Sequence, residues 1–219
     1  MDIGIKNAVG QAIINPLPQS WLGRVDMPPV LPSYANIYVL TNIQIRNLQA
    51  QIGYNKSFWD YTKIGIGNTI GRYQFSPALL ETYGLLANGS TEHYGTDCVN
   101  YTNCWRPVTI RNSNGYASYL YNDSNLTTFL NNSNSQEHLA YQYIYDLYTG
   151  LISNGAITKT DSADVIAGMI SVSWDLGIGT TPNGNNSNGT GAYAWRYHNV
   201  GTGANAYNSG RYAITILSQ

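Results

Sequence analysis

The sequence predicts a mainly α-helical protein, and three observations carry that expectation. Thr41-Asn42-Ile43-Gln44 has the form of a capping box, and Ile45, Leu48 and Ile52 follow it at i, i+3 and i+7. Between Ser135 and Ser153, Ala140, Ile144, Leu147 and Leu151 keep helical spacing. Thr160-Asp161-Ser162 then precedes the most apolar run, Ala163 to Leu176, which carries Val165, Ile166, Met169, Ile170 and Val172 and meets Gly177 as a stop. Short apolar runs such as Val108-Thr109-Ile110 offer at most a small hairpin.

At 219 residues the chain is long enough for one domain with appendages. The composition divides it into an extended arm over 1–40 and a helical domain over 41–219 with an irregular insertion at about 88–135. The arm contains Pro16, Pro18, Pro28, Pro29 and Pro32, which remove donors and disfavour helix before each ring. It also carries Ile13, Ile14, Leu17, Trp21, Leu22, Val30 and Leu31, so it wants a surface. That surface is its own domain or, the favoured reading, a neighbouring subunit.

The first helix, continued four residues past Ile52, delivers Lys56 towards a core or cleft. There the amine must be paired, snorkel to water or lose its proton. Phe58, Trp59 and Tyr61 add aromatic area beyond it, and Asp60 is the nearby carboxylate. A Gly-rich loop then runs through Gly71-Arg72-Tyr73-Gln74-Phe75 into Ser76-Pro77, a good helix start with Ser76 as cap and Pro77 first. Ala78 to Tyr83 is a short helix with Gly84 available to end it. Turn-formers dominate the insertion, which reads as an interaction surface. In the later helices Tyr141, Tyr143, Tyr145 and Tyr148 fill out the girth. Met169 reads as packing and His198 as a satisfied polar contact.

Eleven Lys and Arg face twelve Asp and Glu, a balance that offers no electrostatic footprint for nucleic acid or an anionic membrane. Charged residues are 11% of the chain, while 19 tyrosines and many Asn, Ser and Gly supply the polar surface, which suits a protein held in an assembly. No apolar run of about 18 residues is present, so no membrane span is expected. The opening MDIGIKNAVGQAIINPLP lacks the basic start and apolar core of a secretory signal, so no signal peptide is expected. The Asn-x-Ser/Thr sequons, as at Asn100 and Asn125, are those an Asn-rich chain gives by chance.

Cys98 and Cys104, with five residues between them, either staple their loop as a disulfide, the favoured reading, or remain thiols. His93 is near, but a metal site needs further ligands, so no metal and no cofactor is expected.

Three segments in order carry a resemblance. They are Tyr54-Asn55-Lys56-Ser57-Phe58-Trp59-Asp60-Tyr61 at a helix end, Gly71-Arg72-Tyr73-Gln74, and Ala206-Tyr207-Asn208-Ser209-Gly210. Their order and spacing resemble the lysozyme-like fold of lytic transglycosylases, goose-type lysozymes and phage tail lysozymes over roughly residues 41–219. That family pattern is a Glu-Ser at a helix end, Gly-x-x-Gln, then Ala-Tyr-Asn-x-Gly. Trp195 and Arg196 fit the Trp that follows a Gly-rich loop late in the phage tail lysozymes, where a Tyr-Asn-x-Gly turn opens a last helix. The resemblance implies a peptidoglycan cleft contacted by Ser57, Tyr73, Gln74 and Phe75, with Tyr207 and Asn208 opposite Gln74. Amide side chains suit sugar hydroxyls and N-acetyl groups because each both donates and accepts.

The chain departs from the pattern at the catalytic position, where Lys56 stands in place of the Glu. Glycosidic cleavage needs a proton donor with a pKa near the working pH. An ordinary Lys holds its proton up to about pH 10.4, several units too tightly. The resemblance therefore implies a virion protein of a phage tail or baseplate built on a peptidoglycan-binding scaffold, with its arm and insertion against neighbouring virion proteins. Two alternatives stand beside it. One is an active wall hydrolase using Asp60 or a Glu such as Glu81, Glu92 or Glu137, and the other is a module that grips glycan without cutting it.

Overall fold

A computed structural model describes residues 37, 39–87, 104–105, 109–111, 119–121, 123–183, 187–198 and 202–215. The arm expected over 1–40 lies outside these residues except for Ile37, Val39 and Leu40, as does most of 88–122. The architecture is mainly helical, in the order α1 (Asn42–Ser57), α2 (Pro77–Thr82), β1 (Thr109–Arg111), β2 (Tyr119–Tyr121), α3 (Leu126–Leu130), α4 (Ser133–Ser153), α5 (Ala163–Leu176), α6 (Gly191–His198) and α7 (Ala204–Thr215). Among the described residues, no helix is long and apolar enough to cross a membrane.

The capping box at α1 forms as the sequence predicts. The Thr41 N–H donates to Gln44 Oε1 at 2.9 Å and the Gln44 N–H donates to Thr41 Oγ1 at 3.2 Å. Ile45, Leu48 and Ile52 are buried, but so are Asn47, Gln49 and Gln51, so α1 is enclosed on more than its apolar stripe.

Two compact units share the chain. Among the described residues, one comprises 53–140 and the other comprises 39–52 and the part from Tyr141 on. Both boundaries fall inside helices, one in α1 and one in α4.

In the Gly53–Ala140 unit, Ser76 caps α2 by accepting from the Leu79 N–H at 3.2 Å, and Pro77 takes the first helical position. Beyond α2, Gly84 adopts a positive φ and the Leu85 N–H returns to Leu80 O at 2.8 Å. The core is aromatic: Phe129 of α3 packs on Phe75 at 6.3 Å and on Trp105 at 5.3 Å between ring centres. The Trp105 indole N–H donates to Asp123 O at 2.8 Å. The hairpin is antiparallel with Thr109 opposite Tyr121 and Arg111 opposite Tyr119. The insertion is thus more regular than its composition suggests. Asn125 and Thr128 form a capping box that starts α3, and α4 begins at Ser133, two residues before the expected helix.

In the Tyr141–Gln219 part, Ile144, Leu147 and Leu151 are buried as their spacing predicts. Residues 166–173 of α5 are buried without interruption, making it a core helix that packs on α7 and α6. Gly177 ends α5 at φ +75°. One expectation needs correction. Ala206-Tyr207-Asn208 does not form a turn that opens the last helix; it lies inside α7, which begins at Ala204. His198 is exposed at the end of α6.

Removing the Thr41 cap leaves the Gln44 N–H at the start of α1 without its side-chain acceptor. Thr41→Ala is expected to cost about 1 kcal/mol, read as a lower urea midpoint with an unchanged slope.

Candidate functional site

Residues 53–75, between the last turn of α1 and the start of α2, concentrate the backbone strain. Among the described residues, the non-glycine positions with positive φ are Phe58, Trp59, Asn68 and Gln74, at +56°, +66°, +59° and +52°. Each such residue costs on the order of 1–3 kcal/mol and persists only where its surroundings over-determine it. Here a dense set of bonds does so. The Gly65 N–H donates to Thr69 O and the Gly71 N–H to Lys63 O, both at 2.7 Å, while Ile70 pairs with Ile64 and with Phe75.

Gln74 is held in place as the sequence predicts, but by its own loop. Its Nε2 donates to Gly71 O at 2.8 Å and Lys63 O at 3.3 Å, and its Oε1 accepts from Thr69 Oγ1 at 2.8 Å. A Cβ at position 65 would sit 1.9 Å from that Oε1, so only glycine lets the amide close over the backbone there. Both ends of the Gln74 amide are therefore occupied, which leaves its second Oε1 lone pair as the remaining capacity for a ligand.

Beneath the loop lies an ion pair that the motif reading missed. Arg72 and Glu137 are both buried, at 1% and 0% exposure, with Arg72 Nε 3.5 Å from Glu137 Oε1. The Tyr61 hydroxyl donates to Glu137 Oε1 at 2.6 Å and accepts from Arg72 Nη1 at 2.8 Å. The Tyr73 hydroxyl donates to Glu137 Oε2 at 2.5 Å. The guanidinium also lies over the Tyr61 ring, 5.0 Å from its centre. Burial, reinforced by the Glu137 charge, raises both phenols well above their ordinary value. One signal was available in the sequence: Glu137 sits three and seven residues before Ala140 and Ile144, on the buried stripe of α4, and an inward acid requires partners.

The main chain of Arg72 is bound from both sides. Its N–H donates to Gln136 Oε1 at 2.9 Å and its carbonyl accepts from Ser57 Oγ at 2.7 Å. Gln136 Nε2 in turn reaches the carbonyls of Tyr61, Phe129 and Leu130 at 3.0–3.2 Å. Ser57, Tyr73 and Phe75, expected to contact substrate, are buried and serve this support instead. Ser57 and Tyr73 use their hydroxyls within the chain, and the Phe75 ring packs on Tyr73 and Phe129.

Lys56 is half-buried at the end of α1, and its carbonyl accepts from Lys63 Nζ at 3.3 Å. Asp60 is exposed, and its Oδ1 accepts from the N–H and the hydroxyl of Thr62, each at 2.8 Å, in a local turn. Of the other acids in this unit, Asp123 is buried against Ser135 Oγ at 2.6 Å and Asn132 Nδ2 at 2.9 Å.

Tyr207 and Asn208 belong to the other unit. Asn208 is buried in α7, and the Tyr207 ring stacks against Trp195 with centres 4.9 Å apart. Cys104 is disulfide-bonded, while Cys98, the chain's other cysteine, lies outside the described residues, as does His93. Among the described residues no group of three metal-ligating side chains comes together.

Comparison of the chain with family models, with curated proteins and with solved structures gives no match.

Two outcomes follow from the buried cluster. Glu137→Gln leaves Arg72 uncompensated in the interior and is expected to cost about 3–5 kcal/mol in denaturant unfolding. The phenols held neutral make the fold sensitive to alkali. Below about pH 10 tyrosine is protonated in both the folded and unfolded states, so their contribution is fully present. Above it the unfolded chain loses protons that the folded chain keeps, so stability falls by up to about 1.4 kcal/mol per pH unit for a fully buried tyrosine. Urea midpoints between pH 8 and 11.5 should show that fall, and Tyr73→Phe should make it shallower.

Proposed function

We propose that this protein is a non-catalytic virion component, of a phage tail or baseplate, built on a lysozyme-like scaffold that binds peptidoglycan glycan. The observation that carries the loss of chemistry is the state of Glu137. A general acid must reach the leaving oxygen and exchange its proton with water. Glu137 is 0% exposed and bound by two phenols and a guanidinium, so it serves the fold rather than a substrate. Lys56 at the expected acid position supplies a cation where positive charge develops in the transition state. Asp60, the possible substitute, is exposed and tied to Thr62.

An assembly role draws support from the same segment. Phe58, Ile64 and Ile66 are 66%, 60% and 99% exposed, an apolar set that a free, low-charge protein carries at the risk of sticking. Placement in the virion rests on the resemblance of the three motifs to phage tail lysozymes.

Two assays on the purified chain test the reading. The protein should co-sediment with purified sacculi yet leave their turbidity unchanged over hours, and it should release no glycan fragments. Lys56→Glu, which restores a carboxyl, should keep the sedimentation. Lysis by the native protein would overturn the non-catalytic reading and point to Asp60. Failure to sediment with sacculi would remove the glycan-binding part.

A further inference from the structure

Within the Tyr141–Gln219 part of the chain, a cavity of about 380 Å³ opens between three helices. Val165 and Met169 of α5, Trp195 and Arg196 of α6 and Tyr207 of α7 line it. That volume suits one or two small rings. Glycines seat the two aromatic walls. A Cβ at Gly168 would meet the Tyr207 ring at 2.5 Å, and one at Gly203 would meet the Trp195 indole at 2.8 Å. The rings meet each other at 4.9 Å with 44° between their planes. Side chains wedged in this way have little freedom left to lose when a ligand arrives.

Charge restricts what the cavity can take. Arg196 Nη2 is paired with Asp161 Oδ1 at 2.9 Å, and Arg211, whose guanidinium lies 5.6 Å from the Tyr207 ring centre, is paired with Asp164 at 2.8 Å. Burial alone would raise both carboxyls. Hydrogen bonds from Thr158 and Arg196 to Asp161, and from Ser162 and Arg211 to Asp164, outweigh it and hold both below the ordinary carboxylate value. An anion therefore meets two carboxylates and a cation meets two guanidinium groups, which leaves an uncharged ligand favoured. One donor is left over. Arg196 Nη1 is buried with no hydrogen-bond partner among the described residues, while its guanidinium lies 5.8 Å from the Tyr197 ring centre. A buried donor is costly until an acceptor reaches it, and a carbonyl oxygen supplies one without adding charge.

The walls favour an aromatic ring over an aliphatic one of the same size. Trp195 and Tyr207 gain from ring-to-ring geometry beyond the area buried. The Met169 thioether gains from contact with a ring edge. The planar Arg196 guanidinium stacks on aromatic faces. Of the lining side chains, Val165 alone has no such preference.

We propose that this cavity binds an uncharged aromatic carbonyl compound, an aryl amide or aryl ketone. Its ring lies among Met169, Trp195 and Tyr207, and its carbonyl oxygen accepts from Arg196 Nη1. The site is separate from the glycan binding proposed above, and neither depends on the other.

The test titrates benzamide against the full chain by ligand-observed saturation-transfer NMR, beside benzoate, benzamidine and cyclohexanecarboxamide, which match it in size. Benzoate and benzamidine change the charge, and cyclohexanecarboxamide removes the π face. Benzamide should bind with a Kd of about 1 mM or tighter, and about fivefold more tightly than each of the others. Arg196→Lys keeps a cation facing Asp161 but loses the fork, and should weaken benzamide about tenfold, the equivalent of one hydrogen bond. Trp195→Leu should weaken benzamide more than cyclohexanecarboxamide. Melting curves matching the native protein's show that each variant is folded. In the native protein the Trp195 indole N–H resonance, assigned with Trp195→Phe, should shift as benzamide is added. Tighter binding of benzoate or benzamidine would overturn the uncharged ligand, and equal binding of cyclohexanecarboxamide would overturn the aromatic one. No benzamide binding, no shift at Trp195, or binding that both folded variants leave unchanged would overturn the site itself. Sedimentation with sacculi is untouched by any of these results, so the glycan reading stands or falls separately.

Discussion

The unit holding the loop over residues 53–75 depends on one buried ion pair, Arg72 with Glu137. Two charges taken out of water are costly, and such a pair stabilises only when its remaining donors and acceptors are met. Here the phenols of Tyr61 and Tyr73 meet the carboxylate, and the Tyr61 hydroxyl joins the two ions in a chain. The consequence reaches beyond the charges. Arg72 is also the residue whose N–H and carbonyl are clamped by Gln136 and Ser57, so its side chain and backbone hold α1, the loop and α4 to one another at a single point. The positive-φ residues on either side can be maintained because this point does not move.

That arrangement inverts the role a carboxylate plays in a glycosidase. A catalytic acid is kept short of partners so that its proton is mobile. Glu137 is instead met by two phenols and a guanidinium. The same residues that hold the loop also enclose this acid. Beside exposed polar residues such as Asp60 and Thr62, this stretch exposes three large apolar side chains, Phe58, Ile64 and Ile66.

Much of the helical frame was legible because local rules and tertiary packing agree there. Thr41 and Ser76 cap as their types predict, and the stripes through Ile45 and Ile144 are buried as their spacing predicts. The reading failed where a residue's role depends on partners distant in sequence. Tyr73, Ser57 and Phe75 looked like ligand contacts because the motif alone does not reveal Glu137, Arg72 O or Phe129 waiting behind them. Phe129 and Trp105 were hidden in a segment whose Asn, Ser and Thr content reads as loop, although two aromatic residues suffice to give it a core. Short α6 was missed because eight residues give too little periodicity to stand out from the glycines before it. Trp195 and Arg196 were noticed as parts of a pattern, but their cavity depends on α5 and α7 as well.

The paired charges around Tyr207 have a kinetic consequence. Arg196 with Asp161 and Arg211 with Asp164 leave no net field at the cavity mouth, and the whole chain carries a formal charge of only −1. With so little net charge to steer it, a protein partner would arrive at the unsteered rates of about 10⁵–10⁶ M⁻¹s⁻¹ known for neutral encounters. Such an encounter would depend little on ionic strength, made as readily in brine as in fresh water.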